Sequence, residues 1–187
     1  MRRRREGKAV RAPTFLYRIY ERRLIGELSS SETPRHIAIM LDGNRRWARE
    51  LGQPAAYGHR KGADRMSEFL EWCNEAGIEV VTLWLLSTDN LKREVGELSE
   101  LVSIICDAVE ALADTGKWHL TMVGNLDMLP QPERERLRKA EEHTADVAGM
   151  RVNIAAGYGG RQEITDAVRD HLREEAAAGR TIGEVAE

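Results

Sequence analysis

One stretch of the chain, residues 36–48 with the sequence HIAIMLDGNRRWA, brings together residue types that bind phosphate groups. Behind a short apolar run come a carboxylate, a glycine, an amide, two guanidinium groups and an indole, namely Asp42, Gly43, Asn44, Arg45, Arg46 and Trp47. A strand that ends on Asp42 and turns into a helix places a metal-binding carboxylate, free backbone N–H groups and guanidinium forks at one corner. Such a corner can hold a phosphate or a diphosphate with a divalent cation. The triplet at 42–44 alone also fits a plain strand-to-helix connection with Asp42 as the helix cap.

Three more polar clusters follow along the chain, YGHRKG at 57–62, LSTDNLKRE at 86–94 and GYGGR at 157–161. Taken singly, each fits an ordinary structural element. His59 fits a helix start, the second cluster fits a capped turn, and the third fits a tight turn before a helix. The charged run at 133–142 is typical of a solvated helix face, and we assign it no function.

The elements that must position these clusters alternate regularly from residue 34 onward. Strand-like apolar runs occur at Ile37–Leu41, Val80–Leu86, Leu120–Val123 and Val152–Ala156. Helical spacing of apolar residues occurs between them, at 63–77, 98–112, 133–144 and 160–179. This alternation predicts an α/β fold with a mostly parallel central sheet flanked by helices. Because ligands bind beyond the C-terminal ends of parallel strands, we expect Asp42 and the cluster at 86–94 to face one crevice.

The charge of the chain is unevenly distributed. The 187 residues carry a net charge of −3, which does not indicate nucleic-acid binding. Residues 1–28 hold nine Lys and Arg against three Glu. We therefore divide the chain into a basic amphipathic arm and linker at 1–33 and an α/β domain at 34–187. The arm could lie on an anionic membrane surface, dock on a partner subunit or pack on its own domain.

The cysteines and the hydropathy pattern indicate where the protein works. Cys73 and Cys106 both fall in helical patterns, which predicts buried free thiols of a reducing compartment and neither a disulfide scaffold nor a zinc site. No apolar run has the length of a membrane span, and no apolar segment follows the basic N-terminus as in a signal peptide. We expect a cytoplasmic protein, with peripheral contact at the inner membrane surface through the arm as a further option.

In this order and spacing, the clusters resemble those of the cis-prenyltransferases, the Z-type isoprenyl diphosphate synthases related to undecaprenyl diphosphate synthase. The resemblance covers about residues 34–180 and is carried by HIAIMLDGNRRWA, SxxNxxR and YGGR. The segments LYRIYE, LLSTDNL and GYGGR are similar to those of short-chain actinobacterial members. The resemblance implies an undecaprenyl diphosphate synthase-like fold and a homodimer. It also implies a Mg²⁺-dependent transferase that joins isopentenyl diphosphate to an allylic diphosphate, geranyl or farnesyl, with a new cis double bond.

The family likeness also implies residue roles. Asp42 would hold Mg²⁺ and take part in catalysis, and Asn90 would assist proton removal, although an amide is a poor base and orientation is the physically safer role. Residues that would bind the allylic substrate are Gly43, Asn44, Arg45, Arg46, Trp47, His59, Ser87, Thr88, Asp89 and Arg93. Trp47 among them would line the hydrocarbon pocket. Glu97 would orient the following helix start.

Several departures from the family pattern change the expectations. Ala55 stands where many relatives carry an Arg, Asp89 replaces a Glu, and Leu91 replaces a Trp. Residues 84–86 are bulky where long-chain enzymes use smaller ones. If these side chains point into the tunnel they would stop elongation at about C15, and otherwise they are ordinary sheet residues.

The C-terminal RxxGExRxSxF segment of the family, which grips isopentenyl diphosphate, does not occur in this sequence. Thr181 and Glu184 form a capping box, which normally opens a helix. Two explanations follow. The sequence is part of a longer enzyme, or it is a non-catalytic prenyl-diphosphate-binding or partner subunit.

Overall fold

The structure is a computed structural model, and it describes residues 19–20, 23 and 33–180. The amphipathic helix expected in the N-terminal arm and the capping box at Thr181 lie outside the described residues, apart from three positions of the arm.

Four parallel strands form the centre of the domain. They are β1 (His36–Met40), β2 (Val80–Ser87), β3 (His119–Val123) and β4 (Arg151–Tyr158), in the spatial order β1-β2-β4-β3. In register, Ile39 of β1 lies beside Leu83 of β2, which lies beside Ile154 of β4. All four predicted strands occur within one or two residues of their expected bounds, so the predicted α/β fold is confirmed.

Six α-helices of the described residues flank the sheet, five of them between strands and the last one after β4. They are α1 (Asn44–Glu50), α2 (Ala55–Ala63), α3 (Met66–Glu75), α4 (Val95–Asp114), α5 (Gln131–His143) and α6 (Gly160–Ala177), with 3₁₀ turns at Asn90–Lys92 and Leu126–Met128.

Two details of the helices differ from the expectation. The helical pattern at 63–77 spans two helices, since a turn at 64–65 separates Ala63 from Met66. His59 is not at a helix start but in the middle of α2.

The core lies between one face of the sheet and helices α3, α4 and α5. Its fully buried residues include Leu70, Leu83, Leu120, Leu137 and Ile154. Burial of each such side chain stabilises the fold by about 1.5–3 kcal/mol relative to exposure. Helix α5 carries the charged run that we expected to face solvent, and it is mostly exposed. Its buried residues Leu137 and Ala140 pack it against this core.

The two edges of the sheet differ. At the β3 edge, the Leu120 N–H donates to Thr144 Oγ1 at 3.1 Å, and the Met122 N–H donates to Glu141 Oε1 at 2.7 Å. Side chains at the end of α5 thus satisfy alternate N–H groups that an edge strand would otherwise present to another chain. No described strand pairs with the outer side of β1.

The predicted state of the cysteines is confirmed, since Cys73 and Cys106 are both free and buried. Burial raises the pKa of the Cys106 thiol to about 11. None of the helices in the described part of the chain has both the length and the apolar character needed to cross a bilayer.

Candidate functional site

A cavity of about 640 Å³ opens at the C-terminal ends of β1 and β2. Its polar lining consists of Asp42, Gly43, Asn44, Arg45, Arg46, Arg49, His59, Ser87, Asp89, Asn90 and Arg93. Its apolar lining consists of Met40, Leu41, Ala63, Met66, Trp84, Leu85, Leu101, Ile104, Ile105 and Ala108. The clusters that follow β1 and β2 therefore face one crevice, as predicted.

The loop between β1 and α1 holds the carboxylate in place. Gly43 has φ of 87°, a left-handed conformation that glycine adopts without steric cost. Its N–H donates to Asp42 Oδ1 at 2.6 Å, and its carbonyl oxygen accepts the Trp47 N–H at 2.9 Å. The Asn44 amide donates to the Leu41 carbonyl oxygen at 3.1 Å. The loop is thus closed by its own side chains, and Asp42 Oδ2 has no partner among the described residues.

The opposite wall of the cavity is a network that ends on one carboxylate. Ser87 Oγ accepts the Asn90 N–H at 3.1 Å, and Arg93 donates to Asn90 Oδ1 at 3.0 Å. Glu97 Oε1 accepts from both Arg93 and Arg45, each at 3.1 Å. Glu97 therefore connects the loop after β1 with the segment after β2 and neutralises part of the positive charge between them.

His59 projects from α2 into this wall. It is half-buried, and its buried Nε2 has no hydrogen-bond partner in the described part of the chain. Burial lowers the pKa of the imidazole first, the positive charge of Arg93 lowers it further, and Glu97 opposes this shift. Because its pKa is lowered, the ring is neutral at physiological pH.

The other charged groups of the cavity divide into paired and unpaired ones. Asp89 is exposed and bonds Lys92 at 2.8 Å, which lowers the pKa of the Asp89 carboxyl. No described carboxylate pairs with the guanidinium groups of Arg46 and Arg49. These two guanidinium groups can therefore bind an anion without first giving up a partner.

Two residues predicted to bind the substrate lie elsewhere. Trp47 is 43% exposed and stacks on Tyr57, with ring centroids 5.8 Å apart and planes at 10°. Thr88 bonds the Tyr158 carbonyl oxygen through its N–H at 3.1 Å and packs against Gly159. Neither side chain is part of the cavity lining. Their placement depends on helix packing and on a close backbone approach, which residue spacing alone does not show.

A bulge near the end of β2 shapes the apolar part of the cavity. Trp84 pairs with Ala155 and Leu86 pairs with Ala156, so that Leu85 is an additional residue on β2. Both Trp84 and Leu85 line the cavity, while Leu86 is 1% exposed and belongs to the core. A bulge re-aims side chains in this way because it breaks the alternation of a regular strand.

Helix α4 contributes to the cavity, which the sequence did not lead us to expect. Leu101, Ile104, Ile105 and Ala108 form a continuous apolar wall of the cavity. Their spacing of three and four residues is the available signal, but it is the same signal that a core helix gives. The cavity thus combines an anion-binding rim with an apolar wall, which suits an amphiphilic ligand with an anionic head.

The donor set fits Mg²⁺ only with help from a ligand. No group of three or more His, Cys, Asp and Glu side chains within the described ranges could hold a metal ion alone. Of the two cavity carboxylates, Asp89 is paired with Lys92 and Asp42 has a free oxygen. Mg²⁺ binds readily through one carboxylate together with phosphate oxygens and water, so Asp42 and a bound diphosphate could hold it.

Comparison with known proteins agrees with this geometry. The family model Prenyltransf, described as undecaprenyl diphosphate synthase, matches residues 39–186. Isoprenyl transferase 1 of Streptomyces avermitilis is 49% identical over 173 residues, covering 92% of this chain and 67% of the relative. The (2Z,6E)-farnesyl diphosphate synthase of Mycobacterium tuberculosis is 50% identical over 174 residues, covering 91% of this chain and 66% of the relative.

The fold comparison gives the same result. The crystal structure of lavandulyl diphosphate synthase from Lavandula x intermedia, in complex with dimethylallyl diphosphate, superposes with a TM-score of 0.73 at 28% identity. The match covers 81% of this chain and 66% of that structure. The chain spans about two thirds of the length of the relatives it matches. By its sequence, its sheet and its cavity, the chain belongs to the undecaprenyl diphosphate synthase family of prenyltransferases.

Proposed function

We propose that this protein is a cis-prenyltransferase. It condenses isopentenyl diphosphate with an allylic diphosphate, geranyl or farnesyl, and releases pyrophosphate to form a short-chain Z-isoprenyl diphosphate. The observation that carries the proposal is one cavity in which residues 42–46, at the end of β1 and the start of α1, meet the apolar wall of α4. An allylic diphosphate has the matching shape, with an anionic head and a hydrocarbon tail. The names of relatives about 50% identical support the same reaction class.

The rim residues fit the departure of the allylic diphosphate. Negative charge builds on the leaving oxygens as the bond to the allylic carbon breaks, and positioned cationic donors lower that barrier. Arg46 has no described carboxylate partner and can bind these oxygens directly. His59, whose pKa is lowered, can donate its one ring N–H to these oxygens in the neutral form. Arg45 and Arg93 can turn from Glu97 to the diphosphate at little electrostatic loss, because one anion replaces another.

Asn90 fits an orienting role. Its Oδ1 already accepts from the Arg93 guanidinium, which withdraws electron density from the amide and makes it a still weaker proton acceptor. Its Nδ2 remains available to donate to a substrate oxygen. We propose that Asn90 holds the condensing unit in place and that the released proton is taken by a diphosphate oxygen or water.

Mg²⁺, bound by Asp42 and diphosphate oxygens, would neutralise the leaving group. Asp42 would keep the diphosphate in one orientation, since the Gly43 N–H holds its other carboxylate oxygen.

The location and assembly of the protein are proposals as well. The two buried, unpaired thiols favour a reducing compartment, and we propose the cytoplasm. We also propose a homodimer, by analogy with the family. Peripheral membrane contact through the N-terminal arm concerns residues outside the described part and stays a prediction.

The test is an extension assay with radiolabelled isopentenyl diphosphate, geranyl or farnesyl diphosphate and Mg²⁺. Asp42→Asn keeps the size of the side chain but removes its charge, and we expect product formation to fall about a hundredfold or more. Asp146→Asn, at an exposed position of the α5–β4 loop, is the matched control and should keep the wild-type rate.

A wild-type rate in Asp42→Asn would contradict the proposal. The alternative function, a non-catalytic binding or partner subunit, predicts a different result. Calorimetric titration would then show that the wild-type chain binds allylic diphosphate, while product would form only after a second polypeptide is added.

A further inference from the structure

We propose that two glycines of α2, Gly58 and Gly62, position the anion-binding loop by forming a notch that receives Asn44. The inference rests on the proposed function, since it assigns the loop at 42–46 to the diphosphate. Neither glycine lines the cavity. Their role is therefore to place other residues, in particular Asn44, which itself lines the cavity.

The notch is defined by distances that leave no room for a side chain. A Cβ atom on Gly58 would lie 2.2 Å from the Asn44 carbonyl oxygen and 3.0 Å from the Ala48 Cβ. A Cβ atom on Gly62 would lie 2.7 Å from Asn44 Nδ2 and 2.8 Å from its Oδ1. The two glycines are one turn apart and lie on the same face of α2. Gly58 thus contacts the backbone of Asn44, and Gly62 contacts its side-chain amide.

The Asn44 amide is held on its other side by the loop. Its Nδ2 donates to the Leu41 carbonyl oxygen at 3.1 Å, which bridges the two ends of the turn around Gly43. The amide is thus fixed between the loop and α2. With this bond in place, Asp42 and the Gly43 backbone keep their positions at the end of β1.

The notch also sets the distance across the site. His59 follows Gly58 on α2 and lines the cavity, whereas Arg46 lies on α1. The α1 and α2 helices pack on each other through the notch, so its depth fixes how far the imidazole stands from the guanidinium groups of α1. Widening it by one methyl group would move the two halves of the anion site apart.

The test is a double-mutant cycle on the full chain with inorganic pyrophosphate as the probe. The affinity for pyrophosphate, measured by calorimetry, should fall about tenfold in Gly62→Ala, and by a similar factor in Asn44→Ala, as expected when a charge-assisted contact is misplaced. Gly62→Ala should cause no further loss in the Asn44→Ala background, because the atoms it meets are then gone. Gly58→Ala should weaken binding in either background, because it meets backbone.

Gly96→Ala is the matched control. Gly96 lies in the first turn of α4, and a Cβ atom there meets nothing within 4 Å. Pyrophosphate affinity should stay at the wild-type value, and Tm should not fall, because alanine is a better helix former than glycine. A general loss of stability would lower Tm without changing the affinity of the folded protein, so affinity separates positioning from a merely structural role.

Additive effects of Gly62→Ala and Asn44→Ala, or wild-type affinity in either single variant, would overturn the inference. If Gly62→Ala does not fold, wild-type pyrophosphate affinity in Asn44→Ala overturns it alone. Failure of the proposed function looks different, since the wild-type chain would then neither bind pyrophosphate nor form product. The same cycle measured by Tm, without any ligand, would still test whether Gly62 makes room for the Asn44 side chain.

Discussion

At the scale of single residues, the site is organised around groups that share partners. Glu97 binds Arg45 and Arg93 at the same distance, and Arg93 also fixes the amide of Asn90. The meeting of the clusters after β1 and β2 in one cavity was predictable, because clusters that end parallel strands must lie at one edge of the sheet. That Trp47 stacks on Tyr57 and lies outside the cavity lining was not predictable, since the surroundings of a helix face depend on what the helix packs against.

His59 provides a prediction about pH. Its pKa is lowered by burial and by the charge of Arg93, whereas in the unfolded chain it returns to about 6.5. Below that pH the unfolded chain binds a proton that the folded protein resists, so His59 lowers stability as pH falls and has no effect at pH 8.

His59→Asn removes this effect. We expect the Tm of the variant to fall less than the wild-type Tm between pH 8 and pH 5, measured by circular dichroism. An identical pH dependence of Tm in the two proteins would show that the imidazole is not held neutral.

At the scale of elements, regular structure was predictable and irregular structure was not. The four strands and the long helix α4 were predictable from hydrophobic periodicity, because an element that buries one face carries apolar residues at regular spacing. The break at 64–65 and the bulge at Leu85 leave no such trace. Both features place side chains in the cavity, since Ala63, Met66 and Leu85 line it.

The bulge provides a prediction about product length. We propose that Leu85 limits the apolar part of the cavity, so that Leu85→Ala makes room for longer chains and shifts the products beyond those of the wild type. Reversed-phase thin-layer chromatography of the dephosphorylated products measures the shift. Leu86→Ala, which removes a core side chain next to it, should lower stability by about 2–5 kcal/mol and leave product length unchanged. Identical product profiles for Leu85→Ala and the wild type would show that Leu85 does not limit product length and has only a structural role in the sheet.

At the scale of the whole molecule, stability depends on how the helices pack against the sheet, for example where the end of α5 meets β3. Thr144 is fully buried at this contact. Its Oγ1 accepts a hydrogen bond from the Leu120 N–H and donates one to the Ala140 carbonyl oxygen of α5. No sequence pattern indicates such a residue, since a threonine after a charged helix is ordinarily an exposed cap.

Thr144→Val keeps the shape of the side chain and leaves the Leu120 N–H buried without an acceptor. We expect the free energy of unfolding, measured in urea, to fall by about 1–3 kcal/mol. Thr165→Val, at an exposed site of α6 where the hydroxyl bonds its own helix, should change it by less than about 0.5 kcal/mol. Equal effects of the two substitutions would argue against a protective role for Thr144.

The difference between the two sheet edges determines on which side a further strand could pair. The Leu120 and Met122 N–H groups of β3 are occupied, whereas the outer side of β1 has no described neighbour and is open to a further strand. Neighbouring strands lie about 4.8 Å apart, so the end of a parallel strand added there would lie next to Asp42. Whatever residues follow that strand would become neighbours of the Asp42 carboxylate. The same arrangement that closes the sheet on one side thus reserves the other side for groups that could take part in the chemistry.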